Sequence, residues 1–431
     1  MFLRYAFALS LTALSAGLSA QNTHETMYVQ GGTLYDKCGE PVVLHGINYP
    51  VMDDWDFPAS SEVSDQIALS GANAVRIQWY IDYGQPGRPA YALKDLDTVI
   101  SRVARLDMIP IIELHDFTCQ SDVSQLAGAI VPWYTQADVL QLIEKHKAYL
   151  IIDFANEYGA VNWAGDVGAA QTAFQTAYAD AVVAMRNAGI NVPLMIDAPD
   201  CGTSSNRLVD VASGIHAADP AGNVIFSVHA YWYGYAQNDS LTMRNHLQQM
   251  GNSGFCFVLG EVANYQDDGS PCTYALDYPA IMHSAMDFNI GWLVWAWYKD
   301  GCAARQITTA GSFANLTPFG QDVIHHSDYG LMHVAQRSPY LLNNGCVGLG
   351  VTEPAAEILS VYPNPAGDFI RVTGMSASGE AVYSLTDISG RMVFSEKYVG
   401  TDYQISLAGL APGCYILLQN GRPVTRVLVQ R

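Results

Sequence analysis

The 431-residue chain is short of positive charge: 21 lysines and arginines stand against 41 aspartates and glutamates, a formal net charge of −20 at pH 7. Phosphate polyanions are held by Lys and Arg, so nucleic acid is excluded as a partner and a neutral substrate fits. Beyond the first twenty residues no apolar run reaches the roughly 18 residues of a membrane span, so the mature chain is expected to have none. The eight cysteines (Cys38, Cys119, Cys201, Cys256, Cys272, Cys302, Cys346 and Cys414) include no C-x-x-C pair, which argues against a zinc site. No G-x-G-x-x-G turn follows any strand-like run, which argues against a dinucleotide-binding sheet.

What is present begins with MFLRYAFALSLTALSAGLSAQ. One early arginine, a short apolar run and small residues at its end read as a secretory signal peptide over residues 1–20. Export permits disulfides, although the scattered spacing leaves their pairing open. A short hairpin is expected from Met27 to Glu40, with turns at Gly31-Gly32 and Cys38-Gly39.

Then an alternation sets in across residues 21–350. Strand-like runs occur at Val42–Asn48, Asn73–Trp79, Ile109–His115, Leu150–Glu157, Val192–Asp197, Asn223–Tyr231, Phe255–Glu261 and Ile290–Trp297. Helical patterns at Ser64–Ser70, Leu93–Leu106, Ala137–His146 and Gln171–Asn187 separate the early ones, and further helical stretches precede the last two. Eight strands alternating with helices imply an α/β fold with a parallel sheet closed into a (β/α)8 TIM barrel; an open doubly wound sheet is the alternative. Barrel chemistry sits at the C-terminal strand ends. There Arg76, His115, Glu157, His229, Tyr231, Glu261, Trp295 and Trp297 read as inward-facing by strand parity. Each alone has a bland explanation as core packing or an ion pair, but their agreement in position points to a reaction chamber.

Past Gly350 the texture changes. Residues 351–356 read as a linker, and 357–431 as a small C-terminal antiparallel β-sandwich of short strands punctuated by Pro363-Asn364-Pro365 and Pro412-Gly413. YPNPAGD (Tyr362–Asp368), LTDISGRMV (Leu385–Val393) and LAGLAPGCYIL (Leu407–Leu418) resemble the C-terminal sorting domain of the type IX secretion system. That resemblance implies passage through the type IX machinery and a secreted or cell-surface product. A carbohydrate-binding module is the competing reading, weakened because Tyr383, Tyr398, Tyr403 and Tyr415 form no obvious platform.

The barrel supplies a pair of carboxylates, Glu157 after strand four and Glu261 after strand seven. Such a pair flanking a glycosidic bond can protonate the leaving oxygen and attack the anomeric carbon. The acid needs its pKa raised by burial or by a nearby negative charge. The nucleophile must stay ionised, which Arg76 and a hydrogen bond from Tyr231 assist. Asn156 is placed to hold a sugar 2-hydroxyl, Trp295 to stack on a sugar face, and the run YWYGY (Tyr231–Tyr235) to line a cleft.

LIIDFANEYG, IIELHD, FVLGE and GWLVWAWY, with Arg76, His115, Asn156, Glu157, His229, Tyr231, Glu261 and Trp295, resemble glycoside hydrolase family 5 of clan A. The resemblance makes Glu157 the acid/base and Glu261 the nucleophile of a retaining enzyme. Together with LMIDAPD and DPAGNVIFSVHAY, these motifs look most like the bacterial endo-β-1,4-mannanases. Val262 after Glu261 and Lys299-Asp300 depart from that pattern, which keeps an endo-β-1,4-glucanase open. A non-catalytic glycan-binding surface protein is the reading from another class, disfavoured because both carboxylates are kept. The expected partner is plant cell-wall polysaccharide, acted on by a monomer; no cofactor and no metal is required. His325-His326 and Asp267-Asp268 are expected to be solvated surface pairs.

Overall fold

The computed structural model describes residues 24–50, 63–84, 90–346, 360–373, 380–387, 391–399, 402–419 and 422–430. The signal peptide at 1–20 and the linker at 351–356 lie outside the described residues. The chain divides into two compact units, Met1–Val347 and Gly348–Arg431.

In the first unit eight strands close into a parallel barrel: β1 (His45–Tyr49), β2 (Ala74–Trp79), β3 (Ile109–Leu114), β4 (Ile151–Asp153), β5 (Leu194–Asp197), β6 (Val224–His229), β7 (Cys256–Val262) and β8 (Gly291–Val294). Each pairs with the next, and β8 returns to β1 through Trp292 beside His45. The strand-like run at Val42–Asn48 is split. Pro41–Val42 pairs with Thr33–Tyr35 in a small antiparallel sheet with Tyr28–Gln30, and the barrel strand begins only at His45.

Period-two alternation sorts the side chains. Ala74, Ile109, Ile111, Ile151, Met195, Ile225, Val258 and Leu293 form one apolar cluster with Met27, Leu34 and Val42 of the N-terminal sheet. Val75, Ile77, Ile112, Leu114, Ile152 and Phe154 belong to a second, larger cluster shared with the surrounding helices. The helices of six residues or more among the described residues are α1 (Val63–Ala68), α2 (Leu93–Arg105), α3 (Ala137–His146), α4 (Val167–Asn187), α5 (Ser205–Ala218), α6 (Ser240–Gly251), α7 (Tyr278–Asp287) and α8 (Pro318–His325). Helix α5 is masked in sequence by an interior glycine and polar residues. Its apolar positions Leu208, Val211, Ala212 and Ile215 nevertheless keep helical spacing and are buried.

A buried ion pair fixes the entries of β5 and β6. Arg186, at the end of α4, makes a two-pronged contact with Asp219 (2.9 and 3.0 Å) and also donates to the carbonyls of Ile190, Val192 and Asn223. Although burial opposes the charged form, the Arg186 hydrogen bond holds the Asp219 carboxyl below its usual range.

The second unit has two antiparallel sheets around one core. One contains Ser360–Tyr362, Phe369–Thr373 and Asp402–Ser406; the other contains Met392–Val399, Glu380–Asp387, Gly413–Gln419 and Arg422–Val429. Ile370, Val372, Tyr383, Leu385, Ile405, Leu417 and Val427 meet between them. Asn364 of the Pro-Asn-Pro turn donates to the Arg426 carbonyl and accepts from the Leu428 amide, so this turn stitches the last strand in place.

Arg186→Leu strands the Asp219 carboxylate in the interior. A loss of about 3–5 kcal/mol is expected for breaking a buried pair from one side, read as a lower midpoint in urea denaturation followed by tryptophan fluorescence.

Candidate active site

Arg76 stands at the centre of the barrel mouth, on the inward parity of β2 and wholly buried. Its Nε–H donates to Asp153 Oδ2 at 2.8 Å. Nη1 donates to Glu261 Oε1 (3.0 Å) and Asn48 Oδ1 (3.2 Å), and Nη2 to Asn156 Oδ1 (2.9 Å) and Asp197 Oδ2 (3.2 Å). Burial works against the guanidinium's charge, but Asp153, Glu113, Asp197 and Glu261 outweigh it and hold the cation firmly.

Glu157 is not delivered by strand parity. Strand β4 ends at Asp153, and the next four residues turn so that Glu157 sits at φ +50°, a left-handed conformation uncommon for a residue with a Cβ. Three contacts hold it. The Asn156 amide donates to the Leu114 carbonyl, the Glu157 amide donates to Asp197 Oδ2 (3.0 Å), and the Glu157 carbonyl accepts from the Cys119 amide (3.1 Å). Its Oε1 lies 2.8 Å from His229 Nδ1.

Glu261 also departs from simple alternation. Phe257 and Leu259 belong to the outer cluster and Cys256 and Val258 to the inner one, so strict alternation sends residue 261 outward. Between Leu259 and Glu261 the pairing with β6 slips by one residue. This bulge at Gly260 turns Glu261 into the chamber, the re-aiming that bulges perform beside functional sites. Glu261 Oε2 accepts from the Tyr231 hydroxyl at 2.6 Å.

The His229 ring is clamped between two residues without side chains. A Cβ on Gly202 meets the ring's Cγ at 2.7 Å, and one on Gly260 meets Ser227 Oγ at 2.2 Å and His229 Nε2 at 3.0 Å. Thus held, Nδ1 reaches Glu157 and lies 3.5 Å from Glu261 Oε1, while Nε2 is 3.2 Å from Asp197 Oδ2. Burial lowers the imidazole's pKa, but the charges of Asp197 and Glu261 reverse this and raise it well above the usual histidine value. Burial raises the Glu157 carboxyl above its ordinary range; Glu261 and Asp197 add to that, and His229 opposes it.

The remaining expected residues gather at the same mouth. His115 Nδ1 lies 2.8 Å from Glu113 Oε1, and its ring is near parallel to that of Trp295 at 6.0 Å. Trp295 donates its indole N–H to Asp300, which also accepts from Arg305 and the Cys302 amide. The Lys299-Asp300 departure therefore supplies the acceptor that orients Trp295. Two aromatics leave the expected set. Trp297 follows the end of β8 at Val294, turns into the core and donates to the Gly311 carbonyl. Within YWYGY, Trp232 is buried and donates to the Thr203 carbonyl.

Tyr231, Tyr233 and Tyr235 line a cleft of about 940 Å³ with Glu157, Glu261, Trp295, Arg305 and the exposed Trp163. Sequence reasoning missed Asp197 as the hub for Arg76, His229 and the Glu157 amide, and missed Arg305. It also missed the Cys119–Cys201 disulfide, one of three with Cys38–Cys346 and Cys272–Cys302.

Among the described residues two trios approach metal-ligand spacing, Glu157–His229–Glu261 and Cys119–Glu157–Cys201. The second has its sulfurs joined to each other, and in the first the Arg76 cation already faces Glu261. Of the surface pairs, His326 stacks on Tyr329 at 3.9 Å and Asp267 pairs with Arg305 at 2.9 Å.

Residues 35–301 match the family described as Cellulase (glycosyl hydrolase family 5). The chain belongs to glycosyl hydrolase family 5. This hydrolase is 31% identical over 317 residues to a mannan endo-1,4-beta-mannosidase of Salipaludibacillus agaradhaerens, covering 72% of this chain and 94% of that one. It is 26% identical to a protein of the same name from Cellvibrio japonicus, over 78% and 74% of the two chains. Its fold matches a beta-mannanase structure from Thermomonospora fusca with a TM-score of 0.63 at 24% identity, covering 74% of this chain and all of that one. Residues 360–427 match a secretion system C-terminal sorting domain, which marks the hydrolase for type IX export to the medium or the cell surface. No helix among the described residues is long and apolar enough to cross a membrane.

Gly260→Ala forces the His229 ring away from Glu157. A displacement of this kind costs about 100-fold in turnover, measured as reducing-end release from soluble β-glycan; Gly165→Ala, whose added methyl meets nothing within 4 Å, serves as the control and keeps its activity.

Proposed function

We propose that the chain is a retaining endo-β-1,4-mannanase working by double displacement, with Glu157 as acid/base and Glu261 as nucleophile. The observation that carries retention is spacing: an oxygen of Glu157 and one of Glu261 lie within 4.8 Å of each other. Retaining pairs stand about 5 to 5.5 Å apart, whereas inverting pairs need about 6.5 to 9.5 Å to admit a water.

The two carboxylates have opposite surroundings, and the roles follow from that difference. Glu157 is pushed toward its neutral form by burial and by Glu261, as a proton donor requires. Glu261 faces two donors, Arg76 and Tyr231, which meet a negative charge. In the first step neutral Glu157 gives its proton to the glycosidic oxygen while Glu261 attacks C1, forming a glycosyl-enzyme and releasing the leaving chain. In the second, Glu157, now a carboxylate, takes a proton from water as that water attacks C1 and frees Glu261. His229 stays bridged to Asp197 and to Glu157 through both steps. Asn156, its amide oxygen held by Arg76 and its Nδ2 donating to Thr118, keeps a second Nδ2 hydrogen for the sugar 2-hydroxyl. Trp295, oriented by Asp300, presents a ring face to the sugar.

Mannan is favoured over glucan by the relatives named above, of which one shares 31% identity over nearly its whole length. Reducing-end release is expected to be fastest on galactomannan and glucomannan; a faster rate on carboxymethylcellulose returns the assignment to glucan. Proton NMR of the fresh product is expected to show the β-anomer first, and the α-anomer first overturns double displacement.

Glu157→Gln and Glu261→Gln are each expected to lower kcat by about 1,000-fold or more while leaving the unfolding temperature within a few degrees. For Glu157→Ala, added azide restores turnover and yields a β-glycosyl azide. The pH profile of kcat/KM follows from the same assignment. Activity falls as pH rises through the pKa of Glu157, which burial holds above the ordinary carboxylate value, so the active window reaches further toward neutrality than an unshifted acid permits.

A further inference from the structure

We infer that the Cys119–Cys201 disulfide is a positioning group for Glu157, built into the cleft to keep one oxygen of that carboxyl without a donor. This inference rests on the acid role proposed for Glu157. Cys119 lies in the loop after β3 and Cys201 in the loop after β5, so their bond joins the two loops that flank the β4 turn bearing Glu157. The Cys119 sulfur lies 3.2 Å from Glu157 Oε2. A thiol there is able to donate its hydrogen; a disulfide sulfur has none to give. The two oxygens of Glu157 are thus unlike. Oε1 faces His229, whereas Oε2 faces a polarisable surface that does not donate to an anion.

The backbone repeats the arrangement. Cys119, Glu157, Asp200 and Cys201 all hold positive φ, at 59°, 50°, 62° and 53°. They are tied by Cys119 N–H to the Glu157 carbonyl and Asp200 N–H to the Gly159 carbonyl. Four left-handed residues around one carboxyl are a costly local conformation, and the covalent bond across them keeps the loops from relaxing away. The charged groups that also face Glu157 are His229 on β6, Glu261 on β7 and Asp197 on β5, with Arg76 on β2 behind the last two. None of them reaches Oε2 on the sulfur side. The acid proton accordingly resides on Oε2, the oxygen that no donor stabilises as an anion.

The test is the pH profile of the full-length enzyme on whichever of galactomannan and carboxymethylcellulose it cleaves faster. In Cys119→Ala/Cys201→Ala, water reaches Oε2; in Cys119→Ser/Cys201→Ser, a hydroxyl donates to it. Both are expected to move the basic limb of kcat to lower pH, by about one unit, a tenfold change in the protonated fraction, and the serine pair further than the alanine pair. KM is expected to stay within about twofold, since uniform binding is untouched.

Cys38→Ser/Cys346→Ser, remote from the cleft, keeps the wild-type limb. Should the pairs fail to fold, the folded enzyme treated briefly with dithiothreitol provides the same measurement. Two electrons and two protons pass to the cystine as the reagent closes to its cyclic disulfide, and the limb is expected to shift and to return on reoxidation. An unshifted limb in the cysteine variants and the reduced enzyme, while Glu157→Gln abolishes the basic limb, overturns the disulfide's role alone. A Glu157→Gln enzyme with the wild-type limb overturns the acid assignment as well.

Discussion

A guanidinium sealed from water must be neutralised where it sits, and at the mouth of this barrel that requirement organises everything else. Arg76 has five N–H bonds to satisfy, and its five acceptors come from four strands or their ends: Asn48, Asp153, Asn156, Asp197 and Glu261. Because guanidinium geometry is planar and forked, these acceptors are fixed in one plane and at fixed bearings. The carboxylate that faces the cleft is positioned by the same cation that neutralises the carboxylates behind it.

That network places more acid than base in a small volume. Asp153, Asp197, Glu113, Glu157 and Glu261 share one arginine and two histidines, His115 and His229. Such a group cannot be fully ionised at once, and burial and mutual repulsion drive Asp153 well above the ordinary carboxylate range while the charges of His229 and Arg76 take Asp197 well below it. The asymmetry between neighbouring carboxyls is set by who stands next to Arg76 and His229, not by the residue types alone. The same physics, extended one layer outward, raises the Glu157 carboxyl, by burial first and then by the charges of Glu261 and Asp197.

The barrel itself was legible because period-two alternation is a local property. Arg76, Glu113 and His229 stand on the faces their neighbours predict, and the eight runs appear where hydrophobicity and helical spacing put them. The site was legible as a set of residues but not as a geometry. Glu157 is turned inward by a left-handed residue beyond the end of its strand, and Glu261 by a bulge. Both are register events, visible only against a partner strand. Trp297 was misjudged for the same reason, since parity was extended past the end of β8. Asp197 ends a strand like any other acid, and only its three contacts mark it as a hub. The pairing of Cys119 with Cys201 depends on two loops meeting around a third, which spacing does not encode. In the exported second unit the reverse holds: its turn motifs are local, and Asn364 performs in space the stitching that its Pro-Asn-Pro setting announces.

Gly202 and Gly260 lie 58 positions apart, on different elements, yet the His229 ring that both touch makes them one constraint. Every substitution at either adds at least a methyl group against the imidazole, so neither position has a mutational neighbour for which the other can later compensate. The ring's seat is therefore closed to gradual change. Variation in what this enzyme accepts has to come from the walls of the cleft, where Trp163, Tyr233 and the Asp267–Tyr274 loop stand free of that lock. The lineage can drift in the sugar it grips far more readily than in the way it breaks the bond.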